Sequence, residues 1–272
     1  MMEKFENNMP WVNFYLLNEL YAISASNVRE MLAMPRVVSI PKTPDYIRGV
    51  INLRGKNYPV LDLRKRMGMK SLVDETSDLI ELLEHREEDH KNWIAELESS
   101  VEEHCDFKLT TNPHKCAFGK WYDSFKTDNR VLKSILKKFN NPHNTIHSIA
   151  IDVKELVKQK DFDGAFDVIN KTRNGELAEM IKLFNEVRTN LRESSREIAL
   201  VLEWQDKTMV VSVDSVATVD KMDESNVEEM SEAVSTEDNQ YLIGIGKRGK
   251  DELLVQLLDV EKLISHEFKV NT

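Results

Sequence analysis

The chain has 272 residues, 41% hydrophobic and 31% charged, with a formal net charge of −10. This composition is globular rather than disordered, the length admits two domains of ordinary size, and a surface so acidic repels nucleic acid and anionic lipid. No apolar run reaches the roughly 18 residues of a membrane-spanning helix, so neither nucleic acid nor membrane insertion is expected.

Trp11 to about Gly68 reads as short strands. Residues 11–17 and 21–24 flank the polar turn Asn18-Glu19 as a hairpin. Residues 26–33 read as a short helix capped by Ser26. Pro35, Pro41 and Pro44 then forbid long helices, and strands are expected at 36–40, 48–52 and 57–62.

From about Leu72 to Ser195 the apolar period becomes helical. Leu79, Leu83, Ile94, Leu97 and Val101 share one stripe. Further helices are expected at 129–139, 143–160 and 162–192, the last with Phe162, Phe166, Ile169, Leu177, Ile181, Phe184 and Leu191 on its apolar face. Four such stripes imply an antiparallel bundle. From Arg196 the strands return, at 197–204 and 208–213 around Gln205-Asp206. The acidic run 221–240 reads as a solvated loop with one helical turn. Strands at 241–246 and 252–258 and a short helix from Asp259 to Ser265 follow.

Each strand-rich end is too small to hold much core alone. The expectation is an α+β multidomain chain: residues 10–71 and 196–268 form one discontinuous β domain, and 72–195 form a helical domain inserted in one of its loops.

Two cysteines, Cys105 and Cys116, are too few for a disulfide framework. The polar stretch Met1 to Pro10 lacks the order of a secretory signal. A reduced, cytoplasmic protein is expected.

Four residues carry chemistry. His143 and His147 stand at i and i+4, neighbours on one helix face and close enough to share a metal. Pro142 suits the first turn of that helix. Ile146, Ala150, Val153 and Val157 continue the stripe, so both imidazoles face inward. His90 fills the gap in its own stripe between Leu83 and Ile94, beside Trp93. Cys116 precedes Gly119, which permits a tight turn or close packing. Three neutral imidazoles and one thiolate suit tetrahedral Zn²⁺, with a net site charge of about +1. Neutral imidazoles are required, so zinc release is expected below about pH 6. The rival ligands His104, Cys105 and His114 lie in a polar stretch with no stripe and read as surface, as do His85 and His266. A zinc hydrolase is the alternative. It needs an open coordination position, and no HExxH motif occurs.

His90-x-x-Trp93, Cys116-x-Phe118-Gly119-Lys120-Trp121-Tyr122 and Pro142-His143-x-x-x-His147 resemble the chemoreceptor zinc-binding (CZB) domain. The resemblance implies a four-helix bundle with zinc on His90, Cys116, His143 and His147, and Cys116 as a zinc- or oxidant-responsive, redox-sensitive switch. The flanks resemble the CheW-like coupling domain, through Pro44-x-Tyr46-Ile47-x-Gly49-Val50-Ile51-Asn52-Leu53-Arg54-Gly55, Pro59-Val60-Leu61-Asp62-Leu63-Arg64, Val213-Asp214-Ser215-Val216 and Leu257-Leu258-Asp259-x-Glu261-x-Leu263. That likeness implies a double β-barrel of two five-stranded barrels. It also implies a non-enzymatic chemotaxis adaptor for signal transduction that couples methyl-accepting chemoreceptors to a CheA-type histidine kinase. Asn52, Leu53 and Arg54 would lie at the protein-interaction surface, and the helical domain could form a homodimer.

Overall fold

The computed structural model describes residues 9–222, 227–229, 240–248 and 253–265. Two compact units result. One joins the chain up to Glu75 to the chain from Ser195 onward, and the other is Thr76–Ser194.

The first unit holds two sheets. One has six strands in the order β8 (Ser215–Lys221), β1 (Pro10–Leu16), β2 (Glu19–Ser24), β11 (Leu253–Leu258), β10 (Leu242–Arg248) and β9 (Val227–Glu229). The other has five, in the order β3 (Val28–Ala33), β6 (Ile198–Trp204), β7 (Lys207–Val213), β5 (Lys56–Asp62) and β4 (Ile47–Leu53). Both sheets mix strands from the two ends of the chain: β11 pairs β2 in parallel and β5 pairs β7 in parallel. Neither end could complete a sheet alone.

The side-chain period explains the packing. Along β6, Leu200 and Leu202 enter one apolar cluster with Phe14, Tyr21 and Leu61, while Ala199 and Val201 enter another with Ile51, Val60 and Val210. Alternate residues of a strand point to opposite faces, so this strand is apolar on both faces because both are covered. A third cluster, Trp11, Leu20, Ala22, Val255 and Leu257, fills the corresponding side of the six-stranded sheet.

Several expectations need correction. The five-stranded barrels are open sheets, one of them six-stranded; among the described residues neither ladder closes. The nearest approach is one bridge, Val38 to Val50, where the strand expected at 36–40 reduces to a single pairing between prolines that cannot donate. Gly49 makes this bridge possible: its φ is +135°, and a Cβ there would lie 2.0 Å from the Val38 carbonyl oxygen. Residues 26–33 are not a helix. A 3-10 turn at Ala25–Asn27 leads into β3, whose burial alternates strictly and whose partner is β6. Tertiary pairing overrides the local helical preference of Arg-Glu-Met-Leu-Ala. Strand β8 was not foreseen, although its burial also alternates. Within the acidic run 221–240, β9 spans Val227–Glu229, and residues 223–226 and 230–239 lie outside the described residues.

Helix α1 (Leu63–Arg66) holds the first turn of the helix that follows it. Asp62 caps it, accepting from Lys65 N at 3.1 Å. Buried Arg64 forks onto Asp214, its Nε 2.7 Å from Oδ1, and its other amine donates to Glu75 at 2.7 Å. Lys65 pairs with Asp74 at 2.9 Å. Glu75 and Asp74 stand in the first turn of α2 (Leu72–Glu102), where negative charge suits the helix dipole. At the return, buried Glu197 pairs with Arg48.

The second unit contains the rest of α2, then α3 (Ala117–Ser124), α4 (Arg130–Lys138), α5 (Asn140–Lys158), α6 (Phe162–Thr172) and α7 (Ala178–Ser194), with a π turn at Arg173–Leu177 joining the last two. The helix expected at 162–192 is thus one continuous helical run from Phe162 to Ser194, with the π turn around Gly175 inside it. Helix α3 was missed, because its eight residues hold only a short stripe. Phe118, Phe139, Ile146, Ile169, Met180 and Phe184, each fully buried, centre the core.

Arg64→Ala leaves Asp214, 15% exposed, without its ion-pair partner. The expected loss is about 3 kcal/mol by urea denaturation, toward the low end for a broken buried pair. Glu75→Gln, at a 40% exposed partner, should cost under about 1 kcal/mol.

Candidate metal centre

Three elements bring four ligands together. His90 comes from the buried face of α2, His143 and His147 from α5, and Cys116 from the N-cap of α3. One ligand atom from each lies within 4.8 Å of all the others. Cys116 Sγ and His143 Nε2 are 3.2 Å apart. Tetrahedral zinc with its usual Zn–N and Zn–S bonds sets donors roughly 3.3–3.6 Å apart, so the widest pair needs to close by about 1 Å.

The tautomers favour the metal. His90 Nδ1 donates to the Arg86 carbonyl oxygen at 2.7 Å, and His147 Nδ1 donates to that of Thr110 at 3.1 Å. Each bond places the proton on Nδ1 and leaves the Nε2 lone pair bare, as second-shell partners of metal-bound histidines do. Both Nε2 atoms are buried and have no hydrogen-bond partner. A buried polar atom without a partner is costly, and a zinc ion would satisfy both.

Cys116 is held from two sides. Its sulfur accepts from Gly119 N at 3.1 Å and lies 3.2 Å from the Pro113 carbonyl oxygen. Gly119 is required there, because a Cβ would come 1.8 Å from that carbonyl oxygen. Of the tight turn or close packing expected at Gly119, the structure shows the second, a close approach of the 113 loop to the start of α3. Burial pushes the Cys116 thiol up, against the backbone amides of Gly119 and Phe118 that favour the thiolate. Zinc would decide this contest, since a coordinated thiol is deprotonated.

The aromatic shell packs the imidazoles. Phe118 meets His90 and His143 at centroid distances of 5.5 and 4.9 Å. Trp93 meets His147 at 5.0 Å and donates to the same Thr110 carbonyl oxygen at 2.9 Å. The Arg86 and Thr110 carbonyls are the functional groups that sequence reasoning missed; backbone acceptors leave no residue signature. Of the rivals, Cys105 is exposed and His114 is 68% exposed, paired to Asp123. His85 and His104 are exposed, and His266 lies outside the described residues. Asn52, Leu53 and Arg54 stand at the β4–β5 turn. Asn52 Oδ1 accepts from Gly55 N, and Arg54, 79% exposed, pairs with Glu30.

A helical unit that gathers three buried histidines and a half-buried cysteine, inserted in sequence between the two halves of a two-sheet domain, defines a sheet domain with a candidate metal-site insertion. The chain belongs to the CheW-like domain family, whose model matches residues 10–94 and 174–268. The model of the chemoreceptor zinc-binding domain matches residues 90–154, a span holding all four ligands. The CheW match runs past the sheets into α2 and resumes in the π turn, residues that belong to the helical unit here. The chain is similar to the chemotaxis protein CheW of Helicobacter pylori, 35% identical over 69 residues, 25% of this chain and 42% of that one. It is also similar to the CheW of Klebsiella aerogenes, 40% identical over 70 residues, 25% of this chain and 42% of that one. It thus spans less than half the length of these curated relatives. The scaffolding protein TtCheW of Thermoanaerobacter tengcongensis aligns over 93% of this chain and 90% of its own, at 17% identity and a TM-score of 0.43.

Two measurements follow from the site. Purified protein should hold one zinc per chain by elemental analysis, and His147→Ala should lower zinc affinity by at least a hundredfold in competition with a chelating dye. The second concerns pH. Burial first, and then the neighbouring imidazoles, push His143 down to about 3 and His147 to about 4, and burial also lowers His90. The unfolded chain takes up these protons near the ordinary value of about 6.5. Between those limits the unfolded state binds more protons, so metal-free stability is complete above about pH 6.5 and falls as pH drops. The melting temperature in chelator should decrease from about pH 7.5 to 5; a flat profile would contradict the burial. The same shifts move zinc release to more acid values than the pH of about 6 expected from ordinary imidazoles.

Proposed function

We propose that the chain is a non-enzymatic cytoplasmic adaptor that couples chemoreceptors to a CheA-type histidine kinase, with the zinc or thiol state of the helical unit as its input. The observation that carries this reading is the closed tetrad. Four protein donors fill a tetrahedral shell and leave no position for substrate water, which favours a structural or sensing ion over a hydrolytic one. His90, Cys116, His143 and His147 would hold the ion, which would supply the binding energy that pins α2, α3 and α5 together.

Support for a sheet-unit output comes from the family. The exposed β4–β5 turn, with Asn52, Leu53 and Arg54, is the candidate contact surface. Support for transmission comes from α2. Its first turn is tied by Glu75 and Asp74 to α1, and the same helix carries His90. Loss of Cys116 as a ligand, by oxidation or metal removal, would leave three imidazoles and a weaker site. No described helix is long and apolar enough to cross a membrane, in keeping with an adaptor that meets its receptors at their cytoplasmic ends.

The test is a reconstituted kinase assay with receptor, CheA-type kinase and this chain. Wild type should support receptor-controlled phosphorylation that changes across a zinc titration. Cys116→Ser should retain coupling and lose the zinc response. Absence of coupling at every zinc level would reject the adaptor reading, and identical titrations of the two proteins would reject the sensor reading.

A further inference from the structure

Outside the metal site, the strongest unexplained feature is a basic cleft on the helical unit. In a chain of net charge −10, Lys126, Arg130, Lys133 and Lys137 are all exposed. Several other bases hold acids: Arg64 holds Asp214 and Glu75, Lys91 holds Glu87, and Lys138 holds Glu186. None of the four makes an ion pair with a described residue. Arg130, Lys133 and Lys137 follow one another at spacings of three and four on α4, where like charges are neighbours and repel. Their stripe runs roughly 10 Å along the helix axis.

Lys126, Lys133 and Lys137 rim an open cleft of about 600 Å³ with one acid, Asp128, among them. Its floor is apolar: Tyr122, Phe125 and Leu136 line it. The tyrosine is fixed, its hydroxyl donating to the Leu136 carbonyl oxygen at 3.0 Å. The half-buried Phe125 ring is braced by Trp121 at 4.8 Å. An inorganic anion would have no use for such a floor. A bilayer, being flat, would not reach side chains recessed below a lysine rim. A long nucleic acid would meet the repulsion of the whole acidic surface. The pairing of cationic rim and recessed aromatic floor matches one apolar side chain flanked by carboxylates.

We propose that the α3–α4 cleft is a docking site for a short acidic segment of a partner protein, anchored by an aromatic or aliphatic side chain. Aromatic pockets ringed by charge supply the central anchor and the outer steering of such contacts. The ligand arms of the metal site point into the core of the unit, so this surface is separate from the tetrad.

The experiment uses the full chain and a fluorescein-labelled, glutamate-rich peptide with a central phenylalanine, read by anisotropy. Binding should weaken as salt rises and should drop when alanine replaces the phenylalanine. Lys133→Glu combined with Lys137→Glu, both at exposed positions, should weaken binding at least tenfold while circular dichroism and zinc content stay unchanged. Phe125→Leu offers a second variant that tests the floor without altering charge. Failure of the peptide to bind, or equal binding to wild type and the double variant, would overturn the proposal. So would stronger association with phosphatidylserine vesicles or with a single-stranded oligonucleotide than with the peptide.

Discussion

Two imidazole nitrogens, on His90 and His147, are buried with their lone pairs bare and no protein group to meet them. Much else in the helical unit can be understood as holding that arrangement. The Nδ1 protons are committed to the Arg86 and Thr110 carbonyls, so the rings cannot turn to satisfy themselves. Thr110 also receives Trp93, which braces the His147 ring from the side. Cys116 is set at a helix N-terminus, and Gly119 lets the 113 loop come close enough to fix it. A metal-free protein carries the cost of these orphaned groups, of desolvated imidazoles and of a half-buried thiol. Such a cost is tolerable where an ion offsets it. Without an ion, the unit would be expected to relax at this point before it relaxes in the Phe118 and Phe184 core.

The sheet unit faces a different constraint. Its sheets depend on strands more than a hundred residues apart in sequence, such as β5 with β7 and β2 with β11. Parallel pairs always need a crossover, and here the whole helical unit lies within the one joining β5 to β7. The ends of that connection are consequently not free. Arg64 and Lys65 hold the first turn of α2, and Arg48 holds Glu197 beside β6. Arg64 also donates to Asp214, whose side chain accepts from the Leu17 backbone amide at 2.7 Å. One buried guanidinium thus gathers the β1–β2 turn, the β7–β8 turn and the start of α2.

Where the sequence was legible, one period dominated. The strands 198–204 and 207–213 stand as their apolar runs and the Gln205-Asp206 turn foretold. The shift to helical period near Leu72 marks the start of α2. Legibility failed where pairing partners decide structure. Residues 28–33 carry helix-forming side chains yet alternate in burial, because β6 lies beside them. Strand β8 presents a half-polar pattern whose meaning depends on β1. The separation of two open sheets from two barrels turns on edge pairing, which no single segment encodes. At the candidate metal centre the four residues that come together were legible because imidazoles on apolar stripes are unusual. The carbonyls that set their tautomers were not, since every residue has one.

Magnitudes decide how a metal site could matter to the sheet unit. Structural zinc in small domains is worth on the order of 10–16 kcal/mol of binding free energy at neutral pH. Inverting a two-state equilibrium from about 1:99 to 99:1 takes roughly 5.5 kcal/mol of differential binding. Supply of free energy is therefore not limiting, even if only part of it distinguishes two arrangements of α2, α3 and α5. Transmission is the narrower step. An ion can shift a distant element only through groups that differ between the two states. Helix α2 is a single element from Leu72 to Glu102, with His90 near its middle and Asp74 and Glu75 at its start. A helix is stiff over this length, so a change of position at His90 need not dissipate in a loop before it reaches the Arg64 and Lys65 contacts. Pairs with partly exposed carboxylates, Lys65–Asp74 and Arg64–Glu75 alike, are individually weak, so any such movement would have to be registered by the two together.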